Sequence, residues 1–369
     1  MKITLICGHF IPAMGYIEVH LARAFVDLGH KVTVITSTAI PPYVKHLQKT
    51  FGEAPEGVKV IRLKPLFKLG QIVVARGVRE AVVVSNPDKV IVIGLGKRFP
   101  KPVYDLNLPI VTLFGDNAAS YGNSHDFKTK ILFDVFKRST YEKAIRKSEK
   151  LVAYTPESFE AAAKMLGGKF ENILRGSENF ISLGFHPEEF FFTEAIRRDK
   201  RRELGLGETD RIVITATRIR PEKNLEGAIP FFQKAPHIKW MLVGSGEDAY
   251  AQNFRTRLES DLGKDRFVLL PHAERGELNA FYNAADAALY TTPAISIIEA
   301  MGTGLPVAIP NDKSLSHLIG NPEQGVYFLR RRGYPDIDFI TNPEKRVNRV
   351  ELAVEQLSWE TQALKLLRI

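Results

Sequence analysis

A chain of 369 residues is too long for one ordinary hydrophobic core, and its 44% apolar content is ample for two domains of roughly 150 to 200 residues each. With 51 Lys and Arg against 42 Asp and Glu, the net charge is +9, which favours phosphate-rich small molecules, anionic lipid or nucleic acid without choosing among them. The single cysteine, Cys7, excludes an intramolecular disulfide framework, and no apolar run reaches the roughly eighteen residues that a membrane-crossing helix needs.

The opening MKITLICGHFIPAMG lacks a long apolar run ending in a small-residue cleavage site, so a cytoplasmic protein is expected, at most resting on the inner face of the membrane. Short β-branched runs then alternate with helical patterns: KITLIC, EVHLARAFVDLGH, KVTVIT, VKVIRL, KVIVI, IVTLF and KLVAYT. That alternation predicts a parallel sheet with helices on both faces. Between Ser182 and Asp210 the pattern gives way to Pro, Gly and charge, which reads as a linker. It resumes as RIVITAT, IKWMLVG, FVLLP, AALYT and PVAIP. The expected fold is α/β with two doubly wound, Rossmann-like domains, residues 1–182 and 183–345, facing each other across a cleft.

Ligands of open parallel sheets bind beyond the carboxyl ends of the strands. After the first strand, GHFIPAMGYIE carries Gly15 just ahead of a helix start, where a ligand could approach the backbone; a tight bend alone explains it equally well. In the second half ATRIRPEKN places Arg218, Arg220 and Lys223 within six positions, a set suited to a diphosphate, with a solvated surface loop as the plain alternative. MLVGSGEDA adds Gly244 and Gly246 after a strand, too little for a nicotinamide site. Finally, Ser296 and Glu299 have the S-x-x-E spacing of a capping box, in which the acid merely satisfies a backbone N–H. The functional alternative turns the helix start toward a phosphate and Glu299 toward ribose hydroxyls.

The nine histidines show no metal-ligand spacing, so no metal site is expected. Phe127 to Lys150 is rich in cations and greasy residues and could rest on anionic lipid, yet its charges scatter around a helical axis, which favours a solvated surface helix. No concentrated basic face with stacking aromatics is visible, so nucleic acid is not an expected partner.

Taken together, ATRIRPEK, VGSGE and LLPHAERGELNAFYNAADAALYTTPAISIIEAMGTGLPVAIPN resemble the nucleotide-sugar domain of retaining glycosyltransferases of family four, of GT-B fold. IPAMGYIEVHLARAFVDLGHKVTVIT is similar to that family's opening acceptor-side motif, and LSWETQALKLL to its closing helix, so that residues 346–369 are expected to cross back to the first domain. The resemblance implies that Arg218 and Lys223 bind the diphosphate, that Glu299, as the second glutamate of E-x7-E, holds the ribose, and that Gly15 lies beside the donor phosphates. Donor contacts are further implied at Gly244, Gly246, Ala294, Ile295 and Ser296, and around Leu270 to His272 for the base.

Two positions depart from the family pattern. The first glutamate of E-x7-E falls at Thr291, and a histidine of the first domain falls at Phe114, with Asp116 as the replacement polar contact. Both positions lie where the family touches the transferred sugar. The activity implied is metal-independent transfer from a nucleoside-diphosphate sugar, a co-substrate rather than a cofactor, to an acceptor hydroxyl. The alternatives are a nucleotide-sugar epimerase of the same fold and a catalytically weak sugar-nucleotide or lipid-surface binding protein.

Overall fold

The computed structural model describes residues 1–41, 50–115, 131, 133–176, 179–246, 248–318, 325–329 and 346–369. They form two compact units, Met1–Ser182 with Gln362–Ile369, and Leu183–Thr361.

In the first unit the strands are β1 (Lys2–Ile6), β2 (Lys31–Ser37), β3 (Val58–Leu63), β4 (Pro65–Leu69), β5 (Ile72–Ala75), β6 (Lys89–Ile93), β7 (Ile110–Phe114) and β8 (Lys150–Ala153). Six of them build a wholly parallel sheet in the order β3-β2-β1-β6-β7-β8, while β4 and β5 stand apart as an antiparallel hairpin. Cys7, which follows β1, is buried and donates its N–H to Ile35 O at 3.2 Å.

The second unit repeats the plan with β9 (Arg211–Ala216), β10 (Ile238–Ser245), β11 (Phe267–Pro271), β12 (Ala287–Leu289), β13 (Val307–Pro310) and β14 (Val326–Leu329), in the order β11-β10-β9-β12-β13-β14. The sequence RIVITA shows why this sheet is buried on both faces. Ile212, Ile214 and Ala216 point into one apolar cluster and Val213 into another, on whose side Trp240 stacks on Phe232 at 4.4 Å. Thr215 ties three strands together: its hydroxyl accepts from Trp240 Nε1 at 2.9 Å and donates to Leu289 O at 2.7 Å. The order reverses between β9 and β12, so the loops after those two strands flank the place where such sheets bind ligands.

Two boundaries differ from the sequence reading. The stretch read as a linker, Ser182 to Asp210, contains the helix Glu194–Glu203, capped by Thr193, whose hydroxyl accepts from Ile196 N at 3.2 Å. Its basic run is fastened to the sheet of the second unit. Arg197 pairs with the buried carboxylate of Asp286 at 2.6 Å, and Arg201 donates to Ala284 O at 2.9 Å and Asp210 O at 2.7 Å. The tail, expected to leave the second domain at residue 346, leaves it later: the helix Arg346–Leu357 stays in the second unit and only Gln362–Ile369 joins the first. The cause is a buried guanidinium. Arg346 donates to the carbonyls of Tyr282 and Ala285 at 2.8 Å each and of Thr303 at 3.0 Å, so the helix cannot lift away without stranding three acceptors.

Within the cationic segment, the helix Ser139–Lys147 buries Thr140, Tyr141, Ala144 and Ile145. Of its outer charges Lys143 pairs with Asp105 at 2.6 Å, Arg138 of the preceding turn pairs with Asp134 at 2.7 Å, and Arg146 and Lys147 are exposed. This is the pattern of a solvated surface helix; most of Phe127 to Leu132 lies outside the described residues. Among the described residues no helix is long and apolar enough to cross a membrane.

Candidate functional site

At the carboxyl ends of β9, β10 and β11 the second unit holds a recess of about 340 Å³. Arg218, Lys223, Gly244, His272, Ala294, Ile295 and Ser296 all line it, joined by Thr217, Ala273 and Leu278, which sequence reasoning did not single out. Their only signal was position, immediately after a strand or on the helix that follows one. Gly246, Leu270, Arg220, Thr291 and Glu299 are not among the lining residues.

Each wall has a local cause. Gly244 has φ +110, and a Cβ there would stand 2.5 Å from Thr217 O, so only glycine lets the end of β10 pass this close to the peptide that leads into Arg218. Gly246 has no such constraint, since a Cβ would meet Asp248 Oδ2 at an ordinary 3.7 Å. Lys223 closes a single turn, Pro221–Lys223, which Asn224 ends in the left-handed region at φ 45, ψ 43. Thr291 holds this turn in place: its hydroxyl donates to the Lys223 carbonyl at 2.6 Å.

The opposite wall is the start of the helix Ser296–Gly302. The capping-box alternative is not what forms here. No side chain caps this helix, and Ser296 Oγ instead donates to Ala216 O at 2.9 Å, fastening the helix to the end of β9. Beneath it the buried phenols of Tyr282 and Tyr290 both donate to Ser296 O, at 3.2 and 2.8 Å. Burial pushes the Tyr290 hydroxyl well above its usual range, so it remains a donor.

The charges on these walls are unbalanced. Arg218 is exposed and Lys223 half-buried, and among the described residues neither forms an ion pair. Burial, then the neighbouring Arg218, lower the pKa of the Lys223 ammonium, with Glu222 acting against them. Glu299 is half-buried one turn into the helix, and burial raises its carboxyl from 4.5 to about 7; Arg275 opposes the shift and Glu189 adds to it. Arg275 is itself paired with Glu189.

Three sequence candidates belong to the first unit. Gly15 ends the turn Pro12–Met14 in the left-handed region, at φ 57 and ψ 43, just ahead of the helix Ile17–Asp27. Phe114 is buried in the core at the end of β7, edge-on to Phe159 at 5.2 Å, so its ring serves packing. Asp116 lies outside the described residues. A larger hollow, about 490 Å³, lies beside the helix Glu194–Glu203. The inner arginines there, Arg197 and Arg201, are already bonded to Asp286 and to carbonyls, and no strand end opens into it.

Residues 196–331, which include the recess, match the family model described as glycosyl transferases group 1. The second unit carries a glycosyl transferases group 1 domain. The whole chain has the GT-B fold. It superposes on Alr3699/HepE of Anabaena, solved in complex with UDP, with a TM-score of 0.68 at 18% identity, covering 100% of this chain and 99% of that one. The sucrose-phosphate synthase of Thermosynechococcus elongatus gives 0.67 at 17%, covering 99% and 97%. An alpha-monoglucosyldiacylglycerol synthase of Acholeplasma laidlawii is 20% identical over 164 residues, 42% of this chain and 41% of that protein's length.

Two outcomes follow from this geometry. Because the folded chain holds the Glu299 proton more tightly than the unfolded one, ionisation destabilises the fold, an effect absent below about pH 4.5 and complete above about pH 7. Glu299→Gln should therefore raise the thermal midpoint over wild type at pH 8, with the difference shrinking toward pH 5; a difference constant with pH contradicts the assignment. Thr291→Val keeps the shape and removes the hydroxyl, so the Lys223 and Asn224 amides should exchange with deuterium about fivefold to tenfold faster, and Thr291→Ser should restore protection.

Proposed function

We propose that this protein is a retaining glycosyltransferase of family four that moves a sugar from a nucleoside-diphosphate sugar to an acceptor hydroxyl, in glycan, glycolipid or polysaccharide assembly. The observation that carries the reading is the pair of cations, Arg218 and Lys223, meeting at a strand-end recess without a carboxylate to neutralise them. A diphosphate supplies the missing charge: a guanidinium offers forked donors and an ammonium a point charge. Glu299 stands on the helix that forms the other wall, where an ionised carboxylate accepts from two ribose hydroxyls. The HepE structures in complex with UDP and with UDP-glucose support a uridine nucleotide sugar as donor.

In the proposed reaction the bond between the sugar's C1 and the diphosphate oxygen breaks, and the electron pair stays on the diphosphate. The acceptor oxygen bonds C1 on the face the leaving group vacates, and its proton passes to a phosphate oxygen. No side chain acts as nucleophile. Arg218 and Lys223 take up the charge that grows on the leaving group, the part a metal ion plays in other transferases, so the reading is metal-independent. Thr291 supports this indirectly: its hydroxyl is engaged with the Lys223 carbonyl, which makes it a positioning residue for that cation.

The test pairs binding with turnover. UDP should raise the thermal midpoint of wild type, and Lys223→Ala should lose that shift while its transfer rate from UDP-sugars falls roughly a hundredfold to a thousandfold. A variant that keeps wild-type rates contradicts the assignment, and tight donor binding without turnover over a broad acceptor panel would favour a binding protein.

A further inference from the structure

An antiparallel hairpin on a domain surface normally turns its apolar side chains inward and its polar ones to water. The β4–β5 hairpin of the first unit does not. Its register pairs Phe67 with Val74 and Leu69 with Ile72 on one face, and Lys68 with Val73 and Pro65 with Ala75 on the other. The second face is the inner one, because Val73 and Ala75 are buried in the core and Lys68 donates to Ile40 O. The outward face is therefore Phe67, Leu69, Ile72 and Val74, with no polar side chain among them. A register irregularity between Pro65 and Phe67 turns Leu66 outward as well. Leu66, Phe67 and Leu69 are 58%, 49% and 55% exposed, an apolar concentration that water alone does not favour.

The charges around this face select its occupant. From Lys64 to Arg79 the chain reads KPLFKLGQIVVARGVR, four cations and no carboxylate, of which Lys64, Arg76 and Arg79 are exposed. The first unit as a whole holds 28 Lys and Arg against 16 Asp and Glu, while the second holds 23 against 26. A second copy laid face to face would bring like charges together. An exposed apolar strip carrying an aromatic and rimmed by cations fits the boundary between headgroups and acyl chains of an anionic bilayer.

We propose that the outward face of the Pro65–Ala75 hairpin docks this protein on an anionic phospholipid surface, with Leu66, Phe67 and Leu69 entering the acyl boundary and Lys64, Arg76 and Arg79 meeting the headgroup phosphates. The inference goes beyond sugar transfer and stands whether or not the recess takes a nucleotide. It places the contact away from the cationic helix Ser139–Lys147, which carries no comparable exposed apolar strip.

The test is co-sedimentation of the full chain with vesicles of phosphatidylglycerol mixed with phosphatidylcholine, and with phosphatidylcholine alone. Wild type should bind the anionic vesicles only, more weakly as salt rises. The triple variant Leu66→Ser, Phe67→Ser, Leu69→Ser should partition at least about tenfold less, and Lys64→Glu with Arg76→Glu should lose the preference for anionic lipid. Both variants should keep the wild-type thermal midpoint and its response to UDP, which separates failure of the lipid surface from failure of the donor site. Absence of wild-type binding, or binding unchanged in the triple variant, overturns the proposal. So does a wild-type dimer that the triple variant dissociates, since a second copy then covers the face.

Discussion

Two positive charges held beside each other at one recess repel, and the fold must hold them there against that repulsion. Arg218 and Lys223 are in this position, and much of the surrounding structure serves to keep them so. The Arg218 peptide is reached by a strand end that approaches within the limit set by Gly244, the Lys223 turn is anchored by Thr291, and the facing helix start is fixed by Ser296 to Ala216 and by two tyrosine hydroxyls. Each of these contacts is uncharged. A carboxylate at any of these positions would relax the repulsion from inside the protein, whereas neutral fasteners leave it for an anionic ligand to relieve. Burial, and after it the neighbouring Arg218, depress the pKa of Lys223.

Most of this was legible in the sequence for a physical reason. Strands buried on both faces are near-continuous apolar runs, so RIVITA and KWMLV announce themselves, and the loops after them necessarily lie at the ligand end of the sheet. What was not legible depended on contacts between distant residues. S-x-x-E is a local pattern, and nothing local says that Ser296 will bond Ala216, eighty positions earlier, and leave the cap unmade. Likewise the basic run RRDKRR falls in a stretch that reads as a linker until Asp286 and the carbonyls near it turn its inner arginines into struts. The tail misled for the same reason, because Arg346 is an ordinary surface residue in sequence and a buried clasp in the fold. The hairpin went unread because PLFKL and IVVA are short and alternate on the wrong face.

The two units differ in kind as well as in sequence. The second is slightly acidic overall and holds Arg218 and Lys223 at its recess; the first is strongly basic, with an apolar strip on its surface. On the proposed readings local geometry separates two anionic ligands: the cation-lined recess would take a diphosphate and the cation-rimmed apolar face a bilayer.

On the proposed reading the recess recognises the diphosphate group, with base and sugar adding to a charge interaction made by Arg218 and Lys223. The most direct measurement is calorimetric titration of the full chain with UDP, ADP and GDP, each beside its own nucleoside, at matched low salt. At least one diphosphate should bind about a hundredfold or more tightly than its nucleoside, with affinity falling as salt is added. Nucleosides binding as tightly as their diphosphates, or no diphosphate binding at all, would contradict it.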